Sequence, residues 1–332
     1  MKPFATGLVV GKFAPLHCGH EKLINTALAH CEELFIISYS VPEMPDCEPE
    51  KRLTWLQVRF PQATILVLTP ELVARYNLPA IPHNDADIHR HYVATLCLQI
   101  LRCRPHAVFT AEDYGDGFAN VLARRFAQPV EHVRMARPVG DEAPSGTLIR
   151  SDVHRYRYML ANAVYYSFVR RICLLGGEST GKSTLSKALA DGLDTVYVAE
   201  FGRDYWEEKN GILTADDLLH IACEQVRREQ QAEANHYLIC DTSPLTTLFY
   251  ALDQYGHAPQ ELHQLAEREY SLVVLCGAEF PFVQDGTRQG EVFRARQQVW
   301  YEQELSRRNI PYLSVSGSLQ ERLGQILHRL PD

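Results

Sequence analysis

"GGESTGKST", residues 176–184, decides how half of this chain folds. It fits G-x-x-x-x-G-K-[ST] through Gly176, Gly181, Lys182 and Ser183. The run before it, "RRICLLGG" (170–177), is apolar with strand character, and "KSTLSKALADGL" (182–193) has helical spacing. Strand, glycine loop and helix together are the setting this pattern requires. The glycines let the backbone turn tightly, so that N–H groups point at phosphate oxygens, and the helix N-terminus adds partial positive charge. Gly177, Glu178, Ser179, Thr180 and Thr184 join the pattern residues as candidate ATP contacts. Lys182 is placed to reach the β- and γ-phosphates, and Ser183 to hold Mg²⁺. Such a loop normally follows the first strand of its domain, yet roughly half of this chain precedes it.

Working outward, "HYLICDTSPLTT" (236–247) is an apolar run that ends in Asp241, a carboxylate placed for Mg²⁺. "VYVAEFGRDYW" (196–206) is a strand-like run ending at Glu200, with Arg203 and Asp204 just beyond. Carboxylates at the carboxyl edge of a parallel sheet face the ligand crevice. Glu200 and Asp204 are therefore candidates to bind a substrate hydroxyl or take its proton. "DGTRQGEVFRARQQ" (285–298) brings Arg288, Arg294 and Arg296 and reads as a lid over the transferring phosphate, a charged helix being the alternative. "LVVLCG" (272–277) and "PYLSVSG" (311–317) supply two more strands. The second half is expected to be a parallel α/β phosphotransferase.

The first half opens on "GLVVGKFAPLHCGHEKLINTAL" (7–28), a strand that turns at Gly11 and enters a helix near His20. His17 and His20 lie three apart, on one face of a helix start. Gly19 lets the backbone approach a ligand. The two imidazoles, with the helix N-terminus behind them, are placed to meet a nucleotide's phosphates. A metal site would want a third ligand, and none is close in sequence. The half closes on "APSGTLIRSDV" (143–153), where Ser145 is a natural N-cap and Thr147 shares a helix face with Arg150. This second cationic helix start suits a triphosphate tail.

Composition limits the remaining choices. The chain has 332 residues, 46% hydrophobic and 22% charged, which favours two globular domains. A net charge of −8 disfavours a general nucleic-acid binder. No apolar run approaches the roughly 18 residues of a membrane helix, and "MKPFATGLVVGKF" lacks the shape of a signal peptide. Nine cysteines without a C-x-x-C pair read as reduced thiols, so a cytoplasmic protein is expected.

G-K-F-x-P-x-H-x-G-H at 11–20 with S-x-T-x-I-R at 145–150 resembles the adenylyltransferase branch of the nucleotidyltransferases. Together with "GGESTGKST", "AEFGRD", "CDTSPLTT" and "DGTR", the chain resembles the bifunctional nicotinamide-mononucleotide adenylyltransferases and ribosylnicotinamide kinases. "EKRLTWLQ" (50–57) and "VFTAEDYG" (108–115) look like family segments near the nucleotide site. The resemblance implies an α/β chain of two doubly wound parallel-sheet domains. A Rossmann-like nucleotidyltransferase (1–152) would be followed by a helical connector (153–169) and a P-loop kinase (170–332). It implies that the kinase makes the mononucleotide from nicotinamide riboside and ATP, and that the first domain joins it to AMP from a second ATP. Lys12, His17, His20 and Arg150 would act on the leaving pyrophosphate, with Gly11, Phe13, Gly19, Ser145 and Thr147 around the ATP. Lys182, Glu200 and Asp241 would serve the kinase, with Arg203 and Asp204 at the substrate and Arg288 at the phosphate. Mg²⁺ would sit on Ser183 and Asp241.

The family often has tryptophans in the segment matching 79–96, where an aromatic stacks on the pyridine. This sequence has none there, and His89, His91 and Tyr92 are the candidates to replace them. Some relatives carry an N-terminal helix-turn-helix domain. Here the chain begins at the first strand, so regulation through DNA is not expected. The partners implied are small molecules, neither nucleic acid nor membrane, and a homo-oligomer is compatible with the sequence. Two other classes fit parts of the pattern: a transferase–kinase fusion acting on pantetheine or flavin precursors, and a non-catalytic nucleotide sensor.

Overall fold

The structure, a computed structural model, describes residues 2–79, 85–111, 115–136, 143–284, 286 and 288–330. The chain forms two compact units, Met1–Phe168 and Val169–Asp332.

In the first unit, β1 (Phe4–Gly11), β2 (Cys31–Ser38), β3 (Thr64–Val67), β4 (Ala107–Thr110) and β5 (Glu131–Arg134) form one sheet in the order β3-β2-β1-β4-β5. Every pair is parallel. Helices cover both faces of such a sheet, so its central strands read as unbroken apolar runs. Leu34, Phe35, Ile36 and Ile37 of β2 are all buried. Leu8, Ile37 and Val108 pack with Tyr92, Val93 and Leu96 from helix Ala86–Leu96 and with Phe118 and Leu122 from helix Gly115–Phe126. The chain steps outward from β1 to β3 and then returns to β4 on the other side. Such a reversal opens a crevice at the carboxyl ends of β1 and β4.

The second unit repeats this logic. Its strands β6 (Arg170–Leu175), β7 (Val196–Val198), β8 (Tyr237–Asp241), β9 (Leu272–Cys276) and β10 (Tyr312–Val315) lie in the order β10-β9-β6-β8-β7, again all parallel. Successive strand residues point to opposite faces. Ile172 and Leu174 accordingly join Leu185, Leu189, Ile239 and Ile326 on one side. Cys173 and Leu175 join Phe201, Leu218, Ile221, Leu248 and Tyr301 on the other.

The segment 153–169, expected as a helical connector, is not one helix. It holds a 3₁₀ turn at Arg157–Met159, a short helix at Asn162–Tyr165 and a second 3₁₀ turn at Tyr166–Phe168, within the first unit. Burial of Met159, Leu160, Val164 and Tyr165 decides its course, because tertiary packing overrides a weak helix preference. The Trp55 indole donates to Ser167 Oγ at 3.0 Å and pins the far end.

Candidate active sites

In the first unit the H-x-G-H element is a helix cap. Helix Cys18–His30 has His17 as its N-cap, in extended conformation. His17 Nδ1 accepts from His20 N–H at 3.4 Å, and His20 Nδ1 accepts from His17 N–H at 3.4 Å. This is a capping box with imidazoles in place of Ser and Glu. It uses the Nδ1 atoms and holds the rings stacked, their centroids 3.6 Å apart. Phe13 folds back with φ +48° and meets His20 edge-on at 5.0 Å. A Cβ on Gly11 would lie 2.9 Å from the Phe13 ring, so a side chain there would have to displace that ring.

Arg150 docks onto the same loop. Helix Gly146–Ser151 is capped by Ser145, which accepts from Leu148 N–H at 3.1 Å. Arg150 donates to the carbonyl of Ala14, and to Thr147 Oγ1 at 3.4 Å. A side chain on Gly146 would meet the Ala14 carbonyl at 2.8 Å. The two motifs, some 130 residues apart in sequence, therefore meet at one place.

A cavity of about 400 Å³ adjoins this loop, lined by Gly11, Lys12, Tyr39, His89, Arg90 and Phe118 among others. Its aromatic wall is a stacked pair, Tyr39 and His89, with Tyr39 Oη 2.9 Å from His89 Nδ1. Of the three expected substitutes for tryptophan, His89 alone lines the cavity. Tyr92 is buried in the core, and His91 lies 3.7 Å from Asp87 on the half-exposed side of its helix. Tyr39 escaped the sequence reading because it follows β2 rather than lying in the matched segment. Arg52, fully buried, donates to the Lys12 carbonyl at 3.3 Å and to Ser38 Oγ at 3.0 Å, fixing the loop from below. Residues 80–84 and 112–114, within segments singled out from sequence, lie outside the described residues.

In the second unit β6 runs into the glycine loop and then helix Lys182–Gly192. Gly176 and Gly181 have φ +143° and +80°. A Cβ on Gly176 would sit 2.8 Å from the Cys276 carbonyl. Lys182 Nζ donates to the carbonyls of Gly176 and Gly177 at 2.8 and 3.0 Å, curling back over the loop. Asp241 ends β8, the strand next to β6, and is 2% exposed. It accepts a hydrogen bond from Ser183, while its Oδ1 has no partner among the described residues. A buried, unsatisfied carboxylate oxygen beside a hydroxyl is the hard-oxygen set that Mg²⁺ prefers. The residues therefore fit that ion. Burial raises the Asp241 carboxyl above its ordinary range, against the pull of Lys182 and Arg203.

A cavity of about 130 Å³ opens beside the loop. Glu178, Lys182, Glu200, Arg203, Trp206, Gln225, Tyr250 and Arg288 are among its lining residues. Burial also raises the Glu200 carboxyl, opposed by nearby Lys182. Glu178, read from sequence as an ATP contact, turns its carboxylate to this cavity, where it accepts from Tyr250 Oη at 3.2 Å and from Gln289 N–H at 2.8 Å.

Three expectations are corrected. Glu200 does not end its strand: β7 stops at Val198 at the sheet edge, with β8 between it and β6, and Glu200 takes the N-cap position of helix Phe201–Glu208 without a side-chain capping bond. Asp204 lies inside that helix with a 64% exposed side chain, 4.0 Å from Arg228. Asp204, three positions after Phe201, falls on the same side of the helix as that residue, beside Arg228, whereas Arg203, two positions after Phe201, lies on a different face and lines the cavity. The arginines of 285–298 are not one lid. Arg294 and Arg296 belong to helix Glu291–Arg307: Arg294 is buried, bonded to the Phe280 carbonyl at 2.8 Å, and Arg296 pairs with Asp253 at 2.9 Å. Arg288 stays at the loop, donating to Ser179 Oγ at 3.2 Å. Asp285 and Thr287 lie outside the described residues.

The same helix grips the phosphate loop. Gln298 accepts from Gly177 N–H at 3.1 Å, and Gln297 from Glu178 N–H at 3.0 Å. From the other side Arg322, 1% exposed, donates to the carbonyls of Thr180 at 2.7 Å and Gly277 at 3.1 Å, and to Glu279 at 2.6 Å. None of these three was visible in the sequence, where they read as ordinary helix residues.

Among the described residues no helix is long and apolar enough to cross a membrane, and no group of three or more His, Cys, Asp or Glu gathers to hold a metal.

Residues 171–322 match a family model described as an AAA domain. The chain is 29% identical over 311 residues to the trifunctional NAD biosynthesis/regulator protein NadR of Escherichia coli (strain K12), covering 85% of this chain and 71% of that protein. NadR of Salmonella typhimurium (strain LT2) is 28% identical over 308 residues with the same coverage. A solved NadR protein in complex with NAD and AMP-PNP superimposes with a TM-score of 0.63 at 19% identity, over 99% of this chain and 97% of that one. Another, in complex with NR, gives 0.60 at 22% identity over 93% and 88%. At those identities the two structures establish the fold.

Proposed function

From the premise that this chain is a homologue of the NadR proteins, we propose a bifunctional enzyme of NAD salvage. Its second unit phosphorylates nicotinamide riboside with ATP, and its first unit transfers AMP from ATP to the resulting mononucleotide. The observation that carries the reading is the convergence of Lys182, Asp241 and Glu200, close enough to act on one another electrostatically, with Lys182 and Glu200 lining the cavity beside the loop.

In the kinase step the riboside's 5′-hydroxyl oxygen bonds to the γ-phosphorus as the bond to ADP breaks. The hydroxyl proton leaves to Glu200, whose raised affinity for protons suits a base. Lys182 exchanges the loop carbonyls for the phosphates, and its charge follows the transferring group. Asp241 and Ser183 would hold Mg²⁺, which when bound neutralises charge on the β- and γ-phosphates. Arg288, fixed at Ser179, adds a cation at the loop.

The adenylyl step needs no base, because the mononucleotide phosphate is already anionic. Its oxygen attacks the α-phosphorus, and pyrophosphate leaves with the bridging oxygen. The protein supplies alignment and charge for the leaving group. His17 and His20 cap with their Nδ1 atoms and stand at the helix start, where its partial positive charge also favours phosphate. Arg150 and Lys12 flank them.

Purified protein given ATP, Mg²⁺ and either nicotinamide riboside or the mononucleotide tests the reading. The first should yield mononucleotide and NAD, the second NAD and pyrophosphate, as resolved by chromatography. Absence of both conversions would refute it.

A further inference from the structure

One polar side chain of the second unit has no role in the chemistry above. Gln225 lies on helix Ala215–Gln231, is 2% exposed, and lines the cavity with Leu218 and Ile221 of the same helix face. Its Oε1 accepts the Phe201 N–H at 3.0 Å. Only the carbonyl end of an amide can accept, so this bond fixes which end is which. The Nε2 group is left without a partner among the described residues. A buried donor left without an acceptor is destabilising, because it has given up its bonds to water. Such a group persists where a ligand completes it.

We infer that Gln225 recognises the acceptor nucleoside, its Nε2–H donating to an oxygen of the riboside. The chemistry around it supports this. Phe201 follows Glu200 directly, so the Gln225 amide stands beside the proton-accepting carboxylate. Trp206, Leu213, Leu218 and Ile221 give the cavity an apolar stretch suited to a flat ring. A donor set between a carboxylate and that stretch meets either a sugar hydroxyl oxygen or the carbonyl oxygen of the ring's carboxamide. Both are neutral acceptors. A site built to hydrogen-bond a substrate discriminates strongly against an analogue lacking that group, because its own polar atom is then left unpaired.

The assignment rests on reading this cavity as the riboside site, and the experiment separates the two. Gln225→Glu keeps an oxygen for the Phe201 N–H and removes the donor. Gln225→Met removes both and serves as the control for the Phe201 bond. Each is assayed with nicotinamide riboside, its 2′- and 3′-deoxy analogues and the riboside lacking the carboxamide. KM for ATP and the thermal midpoint report folding. Gln225→Glu should raise the riboside KM about tenfold or more, and for one analogue, the one lacking the accepting oxygen, the KM should match that of the unaltered protein. An unchanged riboside KM, or the same rise for every analogue, overturns the assignment while the cavity reading stands. No phosphorylation of the riboside by the unaltered protein overturns both.

Discussion

The His17 and His20 rings stack 3.6 Å apart, each accepting the other's backbone N–H. The pair thus both begins a helix and presents two imidazoles, and these roles can be separated. His17→Asn restores a good N-cap without the ring. It should hold the thermal midpoint near that of the parent, yet lower adenylyl transfer by roughly the 10²–10³-fold typical of a lost preorganised donor. His17→Ala should add about 1 kcal/mol of destabilisation to the same loss. Full transfer activity in His17→Asn would show that the imidazole serves the cap alone.

Lys182 now bonds the loop's own carbonyls, so removing it takes nothing from the core. Lys182→Ala should leave the fold and NAD formation from the mononucleotide intact. Riboside phosphorylation should fall by several kcal/mol of transition-state stabilisation, on the order of 10³-fold. Loss of both activities in a folded variant would contradict two separate sites.

Asp241 and Glu200 should differ in their Mg²⁺ response. Asp241→Asn should raise the Mg²⁺ concentration needed for kinase turnover. Glu200→Gln should lower kcat, or raise the riboside KM, at saturating Mg²⁺. The reverse pattern would exchange their roles.

Burial raises both carboxyls above their ordinary range, and the sign of the pH effect follows. The folded protein holds these protons more tightly than the unfolded chain does. Their contribution to stability is thus full below the ordinary carboxylate range and is lost as pH rises through the raised values. Mg²⁺ binds the ionised form of Asp241, so the thermal shift produced by Mg²⁺ should grow with pH over that window. Kinase turnover should decline as pH falls through the raised Glu200 value, and Glu200→Gln should lose that limb. A Mg²⁺ shift independent of pH would count against Asp241 as ligand.

Arg322 holds the Thr180 and Gly277 carbonyls, and its guanidinium lies 4.3 Å from the centre of the Phe280 ring. Arg322→Met should lower stability of the second unit by about 2–4 kcal/mol, since buried carbonyls lose their donors. The kinase KM for ATP should rise, with adenylyl transfer unaffected. A calorimetric scan together with ATP titration checks both.

Much of both sites was legible in the sequence because their motifs are local. A glycine loop between a strand and a helix, or two histidines three apart at a helix start, bring their groups together through a few backbone torsions. Gly176, Lys182, Ser183, His17, His20 and the Thr147–Arg150 pair all lie where their spacing places them. Only the tertiary structure decided what locks these motifs and what lines the cavities beside them. Gln297 lies 119 residues from Glu178, and Arg322 lies 142 from Thr180. Tyr39 stands 50 from His89, and Gln225 24 from Phe201. Apolar periodicity shows that a helix face is buried. Which strand end that face meets depends on the strand order β10-β9-β6-β8-β7. That same packing sets the turn of helix Phe201–Glu208, so Arg203 lines the cavity while its neighbour Asp204 points away. Side chains one residue apart diverge by about 100° around a helix, and only the docking of that helix in the fold settles which of the two meets the cavity.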